Sequence, residues 1–479
     1  MVGYAQRLAG RGAGPVADVD RQTVLAMKRA ATFSTLVALA LLGFHPAHSQ
    51  DMPRVRRTIS TLASPAFQGR GYVRDGDKKA AQYLCQRFEQ LGLQPLAPGY
   101  RQSFTLDVNS FPGALKLELN LGMLRFPVLG STRRLRPGID FIAAPASGSG
   151  KVGGPFSAVP IWRFDTLTFT SSTAQQLLLR HPWHGGGLVL RAADERRLIT
   201  LPLPLRQHLD SAALRLTLVP KLTASLAPDQ ATQMRLEVLE PVWNSIPSTA
   251  SGPTVALVAA RVEAKLQRQY HTQNIVGYLP GRIQPDSFLV VTAHYDHLGT
   301  MGRRTYFPGA NDNASGTAML LELAAYYARP ENRPAYSLVF IGFGAEEAGL
   351  IGSQYFVEHP LVPLNRIRFL LNLDLLGTGS EGATVVNGRV FERQFQQLQQ
   401  LNAEHRYLPA LGARGRAANS DHYHFSEQGV PAFFLYTRGG TTAYHDVEDR
   451  PETLPLTTFP QVFQLLRDFL NLQGAAMVK

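Results

Sequence analysis

The sequence predicts an α/β protein with a mixed, mostly parallel sheet, helices on both faces of that sheet, and an inserted β-rich domain. Two observations lead to this prediction. From about residue 274 onward, apolar strand-like runs alternate with amphipathic helical segments, as in a parallel sheet with crossover helices. Residues 109–270 instead contain short β-like segments separated by Gly, Pro and Ser, which is typical of an all-β insert.

Length and composition narrow the class of protein. A chain of 479 residues is long for one domain, and 44% hydrophobic with 18% charged residues is ordinary for a globular protein. The net charge of +12 comes from scattered basic residues, so we expect no nucleic-acid partner. The single cysteine, Cys85 in a predicted helix, can form no internal disulfide and is expected to fill the core.

Residues 1–49 are expected to be a signal segment. Lys28 and Arg29 precede an apolar stretch at 33–44 that is too short to span a bilayer, and small residues follow at 47–49. A translation start at Met27 would make this signal conventional. We therefore expect an exported protein, periplasmic or secreted, with no stable membrane insertion after signal removal.

Three further segments follow the signal. Residues 50–108 contain two predicted helices, VRRTISTLAS and AAQYLCQRFEQLGL, and the strand YRQSFTLDV. Residues 109–270 form the β-rich insert, with strands at LKLELNL, LRFPVLG, GGLVLRA, LRLTLVP and MRLEVLE. Residues 271–479 alternate the strands NIVGYLPG, FLVVTAHY, YSLVFIGFGA, IRFLLNLDLLG, ATVVNG and PAFFLYT with the helices NASGTAMLLELAAYYA, GLIGSQYFVEH, VFERQFQQLQQLNAEH and TTFPQVFQLLRDFLNLQ.

Acidic and imidazole side chains stand where the predicted strands of residues 271–479 end. They are His294, Asp296, Asp312, Glu346, Glu347, Asp374 and His445. Each has an ordinary explanation by itself, such as a helix cap for Asp312 or a solvated helix start for the Glu pair. The carboxyl ends of parallel strands share one edge, however, so we expect these groups to converge.

Convergence of this many carboxylates requires a cation, because like charges otherwise repel and take up protons. Two imidazoles with carboxylates and no thiolate suit zinc or cobalt and disfavour calcium. The set is too large for one zinc ion and sufficient for two if one carboxylate bridges.

The same motifs carry a family resemblance. In chain order they are AHYDHLG, GANDNASG, FGAEEAGLIGS, NLDLLG, SDHYHFSEQGVPAFFLYT and YHDVEDRPETL. With the N-terminal helices, slightly more than half of the chain resembles the co-catalytic di-zinc aminopeptidases of metallopeptidase family twenty-eight. Glutamate carboxypeptidases, glutaminyl cyclases and the transferrin receptor are relatives of that family. The resemblance implies a phosphorylase/hydrolase-like zinc peptidase domain formed by residues 50–108 and 271–479. The insert stands where many family members carry a protease-associated domain, and a degenerate or unrelated β-domain is the alternative. We hypothesise that the insert restricts access to the cleft.

The resemblance also implies a role for each site residue. The metal ligands are His294, Asp312, Glu347, Asp374 and His445, with Asp312 bridging two Zn²⁺ ions for which Co²⁺ can substitute. Glu346 is implied as the general base, Tyr444 as a donor to the oxyanion, and Asp296 as a support for His294. Asp421 and His422 look structural, and no role is assigned to His297 or His424.

The predicted function is that of an exported zinc aminopeptidase. It would hydrolyse N-terminal residues from peptides through a metal-bridging hydroxide and the Glu346 base. The alternatives are a carboxypeptidase or a glutaminyl cyclase on the same scaffold, or a non-catalytic binding protein of the transferrin-receptor type.

Overall fold

The computed structural model describes residues 50–120, 132–154, 157–183, 185–245 and 254–475. The predicted signal segment and the predicted strand LRFPVLG lie outside these residues. Asp51–Lys479 form one compact unit, and the predicted domain boundaries within it stay a prediction. None of the helices in the described ranges is long and apolar enough to cross a membrane.

The described helices include the six predicted ones, and they add α10 outside the insert and four helices within it. They are α1 (Met52–Leu62), α2 (Gly76–Gln90), α3 (Ser172–Arg180), α4 (Ala192–Arg197), α5 (Leu203–Asp210), α6 (Glu240–Asn244), α7 (Gly316–Tyr327), α8 (Ile351–Glu358), α9 (Glu392–His405), α10 (His422–Glu427) and α11 (Phe459–Gln473).

The described strands form two large sheets and one small one. They are β1 (Gln94–Pro95), β2 (Arg101–Ser110), β3 (Leu115–Asn120), β4 (Thr132–Arg134), β5 (Phe141–Ala143), β6 (Gly150–Val152), β7 (Val159–Arg163), β8 (Gly187–Arg191), β9 (Leu214–Val219), β10 (Met234–Leu239), β11 (Thr254–Val262), β12 (Lys265–Leu279), β13 (Gln284–His294), β14 (Thr300–Met301), β15 (Thr305–Tyr306), β16 (Tyr336–Phe343), β17 (Ile367–Leu373), β18 (Ala383–Val386), β19 (Leu411–Ala413) and β20 (Ala432–Thr437).

The first sheet has the order β1-β12-β16-β13-β17-β20-β18-β19, with β2 also paired to β12. Its four central strands, β16, β13, β17 and β20, are parallel to one another, and antiparallel strands flank them. Along β16, Leu338 and Phe340 join one apolar cluster while Val339 and Ile341 join another. Alternate side chains of a strand point to opposite faces, so both faces are covered. The predicted fold class is therefore confirmed.

The second sheet, of order β4-β3-β11-β7-β8-β9-β10-β5, is built from the insert. Its strands β7, β8, β9 and β10 are parallel neighbours, α3 to α5 lie between them in the chain, and α6 follows β10. The expectation of an all-β insert was therefore wrong. These helices have only five to nine residues each, which is too short for the repeated apolar pattern that identifies a helix in a sequence.

The insert leaves and re-enters the first sheet at adjacent strands. Strand β2 ends at Ser110, which pairs with Lys265 at the start of β12. The two ends of the insert are thus held side by side by a strand ladder.

Three glycines join the N-terminal segment to the loop that follows β13. The Gly299 amide donates to the Gly69 carbonyl at 2.9 Å, and the His297 amide donates to the Arg70 carbonyl at 3.3 Å. A Cβ atom on Gly71 would lie 2.4 Å from the Cα of Gly299. The backbones therefore approach so closely that only glycine fits at position 71.

We expect Gly71→Ala to lower the free energy of unfolding by about 1–3 kcal/mol, because overpacking forces the two backbones apart. Urea unfolding of the purified protein measures the change. Gly415→Ala is the matched control, since a Cβ there meets nothing within 4 Å. Equal stability of the two variants would contradict the close approach.

Candidate metal centre

The predicted site residues lie at the carboxyl edge of the first sheet, where its central parallel strands end. His294 is the last residue of β13, Glu346 and Glu347 follow β16, and Asp374 directly follows β17. Ligands of α/β sheets bind at this edge because the chain turns outward there and exposes its side chains.

Asp312 and His445 reach the same edge from outside the strands. Asp312 lies in the π-helical turn Ala310–Ser315 before α7, and His445 lies in the loop between β20 and α11. The side chain of Asn313 ties the turn to the sheet, because its Nδ2 donates to the carbonyl of Leu373 at 2.9 Å. This contact places Asp312 beside Asp374.

One group of ligand atoms surrounds His294. Its Nε2 lies 3.4 Å from Asp312 Oδ1 and 3.4 Å from Asp374 Oδ1. All three residues are buried.

A second group surrounds His445. Its Nε2 lies 3.1 Å from Asp312 Oδ2 and 3.1 Å from Glu347 Oε2. Asp312 therefore turns one carboxylate oxygen to each imidazole. This is the arrangement that a bridging carboxylate requires.

The two groups fit zinc by their spacing and by their chemistry. Ligands at about 2.0–2.1 Å from a tetrahedral zinc ion lie about 3.3 Å from one another, close to the 3.1–3.4 Å between the paired atoms here. Asp374 Oδ1 is buried and accepts no hydrogen bond from the described part of the chain. The five predicted ligands could hold two divalent ions.

The buried carboxylates near His294 repel one another electrostatically. Burial raises the pKa of Glu346 well above its usual value, and the charges of Glu347, Asp421 and Asp374 add to this rise. Burial also raises the pKa of Asp374. In a buried acidic cluster, a cation stabilises the ionised carboxylates.

The His445 side behaves as a set of ion pairs. Burial lowers the pKa of His445, but Glu347 and Asp312 raise it more strongly, to about 11. Burial and the charge of Asp312 raise the pKa of Glu347, whereas His445 and His297 lower it, for a net value of about 2. The imidazole of His445 thus stabilises the same ionised carboxylates that a bound metal ion would compensate.

Asp296 supports the site through several contacts. Its backbone carbonyl lies 3.2 Å from His294 Nδ1, nearer than its carboxylate at 3.7 Å. The carboxylate accepts hydrogen bonds from the Tyr72 hydroxyl at 3.1 Å and from the Glu346 amide at 3.2 Å. Asp296 thus links His294 to the backbone of the predicted base.

His297 has a contact that the sequence reasoning missed. Its Nδ1 lies 2.6 Å from Glu347 Oε1, the carboxylate oxygen turned away from His445. The motif AHYDHLG contained this histidine, but nothing in the sequence indicated that it faces Glu347, fifty positions later.

Asp449 and Arg70 were also missed, and both hold the backbone at Asp312. The Asp449 carboxylate accepts from the amides of Asn311 at 2.8 Å and Asp312 at 3.0 Å. The fully buried Arg70 guanidinium donates to backbone carbonyls of Leu62, Tyr295, Pro308, Gly309 and Asp312. The only sequence signal for Asp449 was its place in YHDVEDRPETL.

A hydrogen-bond relay orients Asp374. The Thr292 hydroxyl donates to Asn372, Asn372 donates to the Ser420 hydroxyl, and Ser420 donates to Asp374 Oδ2 at 3.0 Å. The other carboxylate oxygen, Oδ1, is left facing His294.

A cavity of about 180 Å³ opens onto the two ligand groups. Its lining consists of His294, Asp312, Glu346, Asp374, Leu375, Arg414, Asn419, Phe434, Tyr436, Tyr444 and His445. Tyr444 is 43% exposed, and its ring stacks on His445 with 3.9 Å between ring centroids. The predicted oxyanion donor therefore lies at the cavity, beside a predicted ligand.

Asp421, His422 and His424 lie outside both ligand groups. Burial raises the pKa of Asp421 to about 7 and lowers that of His422 to about 4. His422 packs against Phe434, and His424 is half-buried with a pKa lowered by burial.

Comparison with known proteins points to one family. The model of "Peptidase family M28" matches residues 274–470, a stretch that includes all five predicted ligands and Glu346. Aminopeptidase YwaD of Bacillus subtilis is 32% identical over 218 residues, which are 43% of this chain and 46% of that protein. Leupeptin-inactivating enzyme 1 of Streptomyces exfoliatus is 32% identical over 171 residues, 34% of this chain and 35% of that protein. The chain spans less than half the length of these relatives.

Solved structures show the same fold over most of the chain. The zinc aminopeptidase BSAP from Bacillus subtilis superposes with a TM-score of 0.60 at 20% identity, covering 89% of this chain and 96% of that one. A peptidase M28 precursor from Shewanella amazonensis gives 0.61 at 13% identity with the same coverage.

The sequence matches, the shared fold and the order of the motifs agree with one another. Through residues 274–470, the chain is thus similar to peptidase family M28.

Proposed function

We propose that this chain is an exported, zinc-dependent aminopeptidase that removes N-terminal residues from peptides. The observation that carries the proposal is the pair of imidazole–carboxylate groups that share Asp312 beside a small cavity. Relatives named as an aminopeptidase and as a zinc metalloprotease support it. Export is inferred from the basic and then apolar pattern of residues 28–49.

The five ligands would divide between two zinc ions. His294 and Asp374 would hold one, His445 and Glu347 the other, and Asp312 both. When bound, the ions would supply a hydroxide nucleophile at neutral pH and polarise the scissile carbonyl. The ligand set suits cobalt as well, so we expect Co²⁺ to substitute.

Glu346 is the proposed general base. Its amide is held by Asp296 at 3.2 Å, and its side chain lines the cavity with a ligand atom within 4.8 Å of those of His294 and Asp374. Within the described residues, no side chain donates a hydrogen bond to its carboxylate. The carboxylate is therefore free to take a proton from the nucleophile and to return it to the leaving amine.

The cavity favours a chain terminus that carries positive charge. Carboxylates of Asp312, Glu346 and Asp374 line it, and they would attract the ammonium group of a peptide N-terminus. A volume of about 180 Å³ is below the roughly 300–1,000 Å³ of most ligand pockets, which suits a single terminal residue. The Tyr444 hydroxyl, at the edge of the same cavity, would donate to the oxyanion.

Arg414 favours a second candidate, a carboxypeptidase. It is exposed, lines the cavity and donates to the Tyr436 hydroxyl at 3.3 Å. A guanidinium at this position could bind the carboxylate of a peptide C-terminus. The two candidates therefore differ in which terminus of the peptide must be free.

Peptides blocked at one end separate the two functions. We expect N-acetylation to lower kcat/KM by more than about tenfold, because it removes a charged partner worth about 1.5–3 kcal/mol. Amidation of the C-terminus should leave kcat/KM unchanged. A chromogenic aminoacyl series with both blocked forms measures this. The reverse pattern would show a carboxypeptidase.

Removal of metal should abolish turnover, and zinc should restore it. We expect two zinc equivalents per chain by elemental analysis, because the ligand set is too large for one tetrahedral ion. The chelated protein should regain activity in parallel with zinc uptake, and Co²⁺ should also restore activity. A protein that hydrolyses peptides at full rate without bound metal would exclude the proposed mechanism.

Two adjacent glutamates should respond differently to the same substitution. Glu346→Gln should keep both zinc equivalents and lose about 10²–10⁴-fold in kcat, since it removes a general base. Glu347→Gln should lose one zinc equivalent, because it weakens a ligand. Zinc content and kcat of both variants test the assignment, and undiminished turnover of Glu346→Gln would refute the proposed base.

A further inference from the structure

The loop that carries His445 is held by a segment of the insert. After β9 the chain runs through residues 220–224 alongside residues 442–446. The Ala224 amide donates to the His445 carbonyl at 2.9 Å, and His445 Nδ1 lies 2.9 Å from the Ala224 carbonyl. The nitrogen of His445 that faces away from Asp312 and Glu347 is thus hydrogen-bonded to a residue 221 positions earlier in the chain.

Lys221 joins the same loop through its side chain. Its Nζ lies 3.1 Å from Asp446 Oδ2 and donates to the carbonyls of Thr442 at 2.7 Å and Tyr444 at 3.4 Å. Asp446 Oδ2 in turn accepts from the Tyr444 amide at 3.3 Å. One lysine therefore contacts the loop on both sides of Tyr444.

The loop needs such support because of its backbone. His445 has a φ of +53°, in the left-handed region that residues with a Cβ atom rarely adopt. A residue keeps this conformation only where surrounding contacts impose it. Lys221 and Ala224 supply five of those contacts, and all five come from the insert.

We propose that residues 221–224 are a positioning segment of the metal centre. The carbonyl of Ala224 accepts the proton of His445 Nδ1, so that Nε2, which faces Asp312 and Glu347, is the nitrogen left to bind a metal ion. Lys221 holds the loop so that this geometry is present before metal binds. The inference rests on the proposed function. It gives the insert a role in positioning a metal ligand, in addition to any effect on access to the cleft.

Residues 221–224 should affect the binding affinity of one of the two proposed ions. His445 and Glu347 would hold the ion nearer the insert, whereas His294 and Asp374 are held by the first sheet and by Ser420. Loss of the Lys221 contacts should therefore weaken one ion selectively.

The experiment is a zinc titration of the metal-free, full-length chain in competition with a chromogenic chelator. We expect Lys221→Ala to weaken the binding of one zinc ion by about 10–100-fold, the usual effect of losing a residue that supports a ligand. The other ion should bind as in the wild type. Lys221→Arg, which keeps the charge and the donors, should restore most of the affinity.

Lys116→Ala is the matched control. Lys116 is an exposed lysine on β3 of the same sheet, and it makes no ion pair with the described residues. This variant should bind both ions with wild-type affinity. Thermal unfolding of the metal-free proteins should give the same midpoint for all variants, because Lys221 is 47% exposed.

Two results would overturn the inference. One is unchanged affinity for both ions in Lys221→Ala. The other is an equal loss at both ions together with a lower unfolding midpoint, which would show general destabilisation. A wild-type protein that binds two zinc ions but cleaves no peptide would contradict the proposed function and leave this inference standing. A wild-type protein that binds no zinc would contradict both.

Discussion

The carboxylate of Asp312, shared between two imidazoles, is the constraint on which the rest of the site depends. Its oxygens lie 3.4 Å from His294 and 3.1 Å from His445, so a small rotation of this side chain would break both groups. Several hydrogen bonds therefore hold the backbone around Asp312 in place. Asp449 accepts from its amide, Arg70 donates to its carbonyl, and Asn313 ties the next residue to β17.

Charge explains why these supports lie where they do. Carboxylates are expensive to bury without compensation, and several meet at this edge. Burial lowers the pKa of the Arg70 guanidinium to about 10, although Asp312, Asp449, Asp296 and Glu347 raise it, so it stays charged at neutral pH. It makes hydrogen bonds only to carbonyls among the described residues and contributes its charge beneath the acidic cluster. The protein thus offsets part of the repulsion and leaves the remainder to the proposed metal ions.

The first sheet and the insert both contribute to the proposed metal centre, and the contribution of the insert is made at the loop that carries His445. The first sheet supplies His294, the glutamates and Asp374 from its strand ends, where a rigid parallel sheet positions them. His445 comes from a loop, and a loop requires external contacts to hold one conformation. Here those contacts come from the insert, through Lys221 and Ala224. An inserted domain can in this way become part of a site to which it gives no ligand.

The sequence by itself determined most elements outside the insert and the candidate residues. Long periodic segments such as YSLVFIGFGA and TTFPQVFQLLRDFLNLQ became β16 and α11, because local periodicity encodes which face of an element is buried. The order of strands and helices in turn indicated that His294, Glu346, Glu347 and Asp374 share one edge. Only the tertiary structure decided how these groups pair, since the side chains of the adjacent Glu346 and Glu347 face different ligand groups. It also decided which residues support them: His297, Asp449, Arg70 and Lys221 contact partners between 50 and 242 positions away. Contacts at such separations depend on how the whole chain packs, and no local pattern of residue types encodes them.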